Sequence, residues 1–256
     1  MINMYELNKK EQKIIKSISE TYYIQPAIIL INSIIENSQD VKNEWKNIFN
    51  RLYEILTSTK EQVDELLENR KKLGQIRDIS QARKSIAGNA FSNLVIYTFL
   101  QNKIQKNINQ QIFITNKRSE VKDFDKISTI HVGDETQKPD VDLIIYTEKV
   151  DNSLDKCIFL SLKTSLRERA GQTYKWKLLM EIATSNNPIK EKYDISYNPD
   201  NTPLICFATI NFYNEINNPQ HRGMFKFFDN SFIGKPINTE FINSLSHLID
   251  YVNDTL

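Results

Sequence analysis

The sequence predicts an α/β (α+β) protein in which helices surround a mixed central sheet, preceded by a helical N-terminal region. Three observations predict it. Apolar residues recur near every third or fourth position through the first 75 or so residues. Beyond the segment ending near Ile104, the chain changes to short aromatic and β-branched runs bounded by turn residues. Further helical patterns then fall between and after those runs, as a layered α/β arrangement requires. At 256 residues, 40% hydrophobic and 10% aromatic, the chain has material for a large core and lies outside the disordered class.

Taken in order, helical periodicity begins near Lys9, crosses AIILINSIIE and runs through VKNEWKNIFNRLYEILTS. The charged run KEQVDELLENRKKLG continues as helix and stops at Gly74. Asp78 and Ser80 precede an N-capped helix of five or six turns, with Ala87, Phe91, Leu94 and Tyr97 or Thr98 on related faces. Gly88 inside it costs about 1 kcal/mol relative to alanine, so it marks a close approach by another backbone, of this chain or of a bound strand. IFIT, VDLIIYT, CIFLSLKT, LICFATINF and GMFKFFD read as strands. TYKWKLLMEIATS is a helix between the third and fourth of them, and TEFINSLSHLIDYV is the last helix. The expected organisation is a helical region over 1–75 and a core over 76–256.

The 33 basic and 32 acidic residues nearly cancel, which disfavours a general nucleic-acid coat but permits an enzyme with one basic cleft. Cys157 and Cys206 lie in apolar strand-like runs and read as buried free thiols. The start of the chain is polar, and IQPAIILINSII is too short to span a bilayer. A cytoplasmic, non-membrane protein is therefore expected. His131, His221 and His247 stand apart without metal-ligand spacing. Trp176 and the Tyr22–Tyr23 pair read as packing residues.

The chemistry concentrates in two strands. In KPDVDLIIYT, alternation puts Asp140, Asp142 and Ile144 on one face, so two carboxylates open an otherwise buried strand. Buried ionised groups need compensation, which a divalent cation supplies. In CIFLSLKT, Cys157, Phe159, Ser161 and Lys163 share a face, and a lysine at an apolar strand's end is unusual. The polar EKVDNSLDK between them makes the strands antiparallel neighbours and brings Lys163 near Asp142. Phosphodiester cleavage uses such a group: carboxylates hold Mg²⁺, and a lysine orients or helps deprotonate a water. The same spacing also arises as a structural ion pair.

Pro139-Asp140-Val141-Asp142 followed by Ser161-Leu162-Lys163 resembles the PD-(D/E)xK nuclease motif, with serine where many members carry a second carboxylate. The run from Lys163 to Arg169, KTSLRER, is similar to a segment of the restriction endonuclease branch that cuts CCGG-type sites, and the pattern is most like that of BsaWI-like enzymes. RKSIAGNAF (83–91) and HRGMFKFFDNSFIGKP (221–236) resemble further restriction-enzyme segments, although Ser92 and Asn93 follow Phe91 where a glutamate is usual. The similarity spans roughly 76–256.

The resemblance implies a restriction-endonuclease-like fold and a prokaryotic type II enzyme using Mg²⁺ to cut a short, palindromic, GC-containing duplex as a homodimer. It implies a metal ligand at Asp142, as in the BsaWI-like pattern, or at Asp140, which follows the proline, together with Lys163 and Ser161. A displaced glutamate belongs on the helix after the arginines. Glu181 is the candidate there, one turn late, and its spacing to Lys177 equally makes a solvated ion pair. Arg167, Glu168 and Arg169, with Gln172, are the implied readers of G·C pairs. Arg83 and Lys84 suit phosphates, and Asn211 and Arg222 flank a loop suited to base edges. Two alternatives remain: a structure-selective repair or junction nuclease on the same core, and a catalytically decayed DNA-binding module.

Overall fold

Local signals open and close the helices of the N-terminal stretch. In this computed structural model, which describes residues 4–236 and 239–256 (the side chains of 167–170 excepted), that stretch forms five helices. They are α1 (Lys9–Ser19), α2 (Gln25–Glu36), α3 (Val41–Ile48), α4 (Leu52–Ser58) and α5 (Lys60–Lys72). Asn8 opens α1 by accepting the Lys10 and Glu11 N–H groups at 2.9 Å, while Glu11 accepts the Asn8 N–H at 3.0 Å, a reciprocal capping box. Gly74, at φ +71°, stops α5. Its N–H donates to the Lys71 carbonyl and that of Gln75 to the Arg70 carbonyl, the two bonds of a Schellman end.

The long helix α6 (Ile79–Ile104) makes about seven turns, more than the sequence pattern predicts. Asp78 is its cap, accepting from the N–H groups of Ser80 and Gln81. Its second half is buried almost all round, from Phe91 through Leu94, Val95 and Ile96 to Phe99 and Leu100. One apolar stripe therefore describes only part of it. Gly88 is exposed, and a Cβ there would meet nothing within 4 Å, so the expected close backbone is absent among the described residues. Lys103 on α6 donates to Glu11 at 2.5 Å with both side chains buried. Burial holds the Lys103 ammonium below the usual lysine range, although Glu11 pulls it back. Helix α6 packs against α1, α3, α4 and α5.

These helices form the first of two compact units, built mainly from the chain up to Gln110 and from Ser244–Thr255; the second is mainly Gln111–Phe232. After α6 come β1 (Phe113–Thr115), α7 (Phe124–Ser128), β2 (Ile130–Val132), β3 (Glu135–Gln137), β4 (Leu143–Glu148) and β5 (Leu154–Lys163). There follow α8 (Arg167–Thr184), α9 (Pro188–Lys192), β6 (Ile195–Ser196), β7 (Leu204–Thr209), α10 (Pro219–Gly223), β8 (Asn230–Ile233), β9 (Asn243–Ser244) and α11 (His247–Thr255).

The main sheet runs β1-β4-β5-β7-β8-β9, with β4 antiparallel and β5–β7 parallel about its centre; β3-β2-β6 form a small second sheet. The expected mixed sheet flanked by helices is thus the observed architecture. Helix α8 is the crossover that parallel β5 and β7 require, and it covers the sheet where Trp176 lies 6.3 Å from Phe159. Among the described residues, no helix is long and apolar enough to cross a membrane.

One expected strand is corrected. GMFKFFD is a short helical turn, and the strand falls later, at β8. Its aromatics are used for packing: Phe225 meets Phe207 of β7 edge-on at 5.3 Å and Phe228 stacks on it at 5.1 Å. The small sheet has no counterpart among the predicted strands, since its strands are only two or three residues long.

Candidate active site

Strands β4 and β5 pair with Leu143 opposite Leu160 and Ile144 opposite Phe159. Continued by one residue, that register sets Asp142 beside Ser161 on the face of Ile144 and Phe159. The turn that joins the strands is local: the Lys149 N–H donates to the Ser153 carbonyl, Asn152 takes φ +59°, and Asp151 accepts from Ser153. The register shifts once between it and the paired stretch, at Tyr146–Glu148. Two buried apolar strands thus end with their polar residues facing one another, as alternation predicts.

The Lys163 ammonium donates to Asp142 Oδ2 at 2.7 Å and lies 3.5 Å from Asp140 Oδ2. Side-chain exposure grades outward through this group, from 10% for Lys163 to 29% for Asp142 and 62% for Asp140. Asp142 Oδ2 also accepts the Leu162 N–H at 2.7 Å and the Ser161 hydroxyl at 3.4 Å. All of these donors converge on one oxygen. Each hydrogen bond to Asp142 falls on Oδ2, and the Lys163 ammonium lies between that oxygen and Asp140 Oδ2. Two hard carboxylate oxygens suit a magnesium ion. Among the described residues, no three His, Cys, Asp or Glu side chains gather as a metal-binding group.

Behind Ser161, its Oγ lies 3.1 Å from Thr173 Oγ1 on α8, and both residues are buried. The start of α8 is held by the loop after β7. The Phe212 N–H donates to the Thr164 carbonyl at 3.0 Å, and the Leu166 N–H to the Glu215 carboxylate at 2.5 Å. Ser165 Oγ donates to the same carboxylate at 3.3 Å. Leu166 has no polar side chain with which to cap the helix, and Glu215 supplies an acceptor there from a distant segment. One turn past Thr173, Lys177 donates to Asp229 at 2.8 Å, and Asp229 accepts the Ile205 N–H of β7 at 2.6 Å. Burial depresses Lys177, but Asp229 and then Glu181 outweigh it, so its pKa lies above the usual lysine value.

The predicted residues divide accordingly. Asp140, Asp142, Ser161 and Lys163 come together. Glu181 does not join them: it is 55% exposed and 3.2 Å from Lys177. It also follows Thr173 by eight residues, roughly 12 Å along the helix. The Lys177–Glu181 pair is present, yet Lys177 is buried and not on an outer face, because Asp229 takes it inward. Arg167, Glu168 and Arg169 open the backbone of α8, and their side chains lie outside the described residues. Gln172 is exposed on the same helix, and Arg222 is half-buried at the end of α10. Asn211 is buried at φ +46°, with its side-chain oxygen accepting the Ile216 N–H at 3.4 Å. In the first unit, Arg83 pairs with Asp64 at 2.7 Å and Lys84 is exposed.

Sequence reasoning did not single out Thr173, Glu215 or Asp229. Thr173 carried a signal, since it precedes Trp176 and Met180 at helical spacing on the buried face. Glu215 sits in an asparagine-rich loop without periodicity and carried none. Residues 117–254, more than half of the chain and including every residue of this cluster, match the family described as BsaWI restriction endonuclease type 2. No curated protein matches the chain.

Proposed function

The chain belongs to the BsaWI restriction endonuclease family, and on that footing we propose that it is a type II enzyme hydrolysing both strands of a short, palindromic, GC-containing DNA site as a Mg²⁺-dependent homodimer. The observation that carries this reading is the half-buried Asp142 carboxylate, with one oxygen held by the Leu162 N–H and by a Lys163 ammonium that also lies 3.5 Å from Asp140. Asp142 is the first metal holder and Asp140 the second. When bound, the cation supplies Lewis-acid polarisation of the phosphate and offsets the charge that develops on it.

The protein's own part is positioning. Lys163, fixed by Asp142, presents its remaining N–H donors to the attacking water or to a phosphate oxygen, where a fixed cation stabilises growing negative charge. The orientation of the ammonium is settled in advance, since the strand end and the carboxylate already hold it. Arg167, Glu168, Arg169 and Gln172, directly after the strand that ends in Lys163, are assigned to base reading. Arg83 and Lys84 are assigned to phosphates, and a palindromic site is met most simply by a twofold dimer.

The test is digestion of phage DNA by the purified protein in Mg²⁺ and in EDTA. Discrete fragments that vanish in EDTA support the reading. A smear, or cutting confined to branched DNA, points to a structure-selective nuclease. A second reading, a DNA-binding module without cleavage, is favoured by one observation, the absence of a three-acid cluster among the described residues. Intact DNA with retained site-selective binding is its signature.

A further inference from the structure

We propose that Thr173, through Ser161, is a positioning residue for the Asp142 carboxylate; the inference rests on Asp142 being the metal holder. Ser161 Oγ is 3.4 Å from Asp142 Oδ2 and 3.1 Å from Thr173 Oγ1. An ionised carboxylate only accepts, and a serine hydroxyl has one proton. If Ser161 donates to Asp142, the Ser161–Thr173 bond must then be donated by Thr173. The direction of the chain is therefore Thr173 to Ser161 to Asp142.

This relay is buried and anchored. Ser161 and Thr173 are both buried. Helix α8 is fastened on either side of Thr173, by Glu215 at the Leu166 N–H and by Asp229 at Lys177. Thr173 is thus presented on a rigid element and does not depend on a loop. Oδ2 is kept for internal donors, which leaves Oδ1 as the oxygen to hold the cation. Ser161 stands where a carboxylate is expected in the motif, and there the hydroxyl pair contributes orientation in place of charge. Trp176, one turn along α8, lines the same small pocket as Asp140, Ser161 and Thr173.

Outer hydrogen-bond partners of metal ligands typically change metal affinity by about 10- to 100-fold when removed. The experiment is a calorimetric Mn²⁺ titration of the full chain and of Thr173→Val, Thr173→Ser and Asp142→Ala, each shown to be folded by circular dichroism. Valine keeps the shape and removes the hydroxyl; serine keeps the hydroxyl and removes the methyl. The expected result is Mn²⁺ affinity lowered by about tenfold or more in Thr173→Val, retained in Thr173→Ser and lost in Asp142→Ala. Thr173→Val binding like the parent, or Thr173→Ser as weak as Thr173→Val, overturns the relay while Asp142→Ala still upholds the metal site. A parent that binds no Mn²⁺ overturns the metal site and the relay together.

Discussion

At the scale of single residues, the site is built on one oxygen of Asp142, on which Ser161, Leu162 and Lys163 converge. Lys163 is nearly buried, so removing Asp142 strips its principal counter-charge and removes the proposed metal holder at once. Asp142→Ala and Lys163→Ala should each lower cleavage by about 10²- to 10⁴-fold, measured as single-turnover strand cutting. Glu181→Gln should cut at the parental rate, because Glu181 is a partner of Lys177 and not of the carboxylates. Asp229→Asn leaves Lys177 buried with only the exposed Glu181 opposite, and should cost about 3 kcal/mol in urea denaturation. Ser161 and Lys163 were legible in the sequence because alternation puts them on one face of β5, and Asp142 because it stands one position before β4; Asp140 lies further outside that strand and is reached through Lys163. Asp229 and Glu215 were not legible, since each reaches its partner across a long stretch of chain and no short spacing encodes that.

At the scale of elements, two glycines make opposite predictions. Gly74 has φ +71° at the end of α5, where an L side chain is strained by about 1–2 kcal/mol, so Gly74→Ala should lower the melting temperature. Gly88 lies exposed within α6 with open space around it, and Gly88→Ala should stabilise by about 1 kcal/mol. Helix propensity alone disfavours glycine there, which is why the sequence leads one to expect a close neighbour. No protein neighbour among the described residues accounts for it. Strand existence and pairing for β4 and β5 followed from period-two patterning. GMFKFFD misled because a dense aromatic run satisfies strand composition, whereas here Phe225 and Phe228 pack against Phe207, one edge-on and one stacked.

At the scale of the whole molecule, the layered α/β architecture was legible because it rests on long periodic segments and on the change of period beyond α6. Neither cysteine is in a disulfide, and both are buried in the central strands. Burial pushes the Cys157 thiol up to about 12, so at pH 8 it remains protonated and unreactive. A thiol reagent should label neither cysteine in the native protein and both after unfolding. Twofold reading of a palindrome predicts a particle of twice 30.0 kDa in sedimentation equilibrium. A mass of 30.0 kDa at all concentrations, with and without DNA, would contradict the dimer.

The most direct measurement is digestion of phage DNA in Mg²⁺ by the parent and by folded Asp142→Ala and Lys163→Ala variants, run side by side on one gel. Discrete fragments from the parent alone are the predicted result. Fragments of the same pattern and yield from either variant would contradict the assignment of the Asp142–Lys163 pair as the cleavage centre.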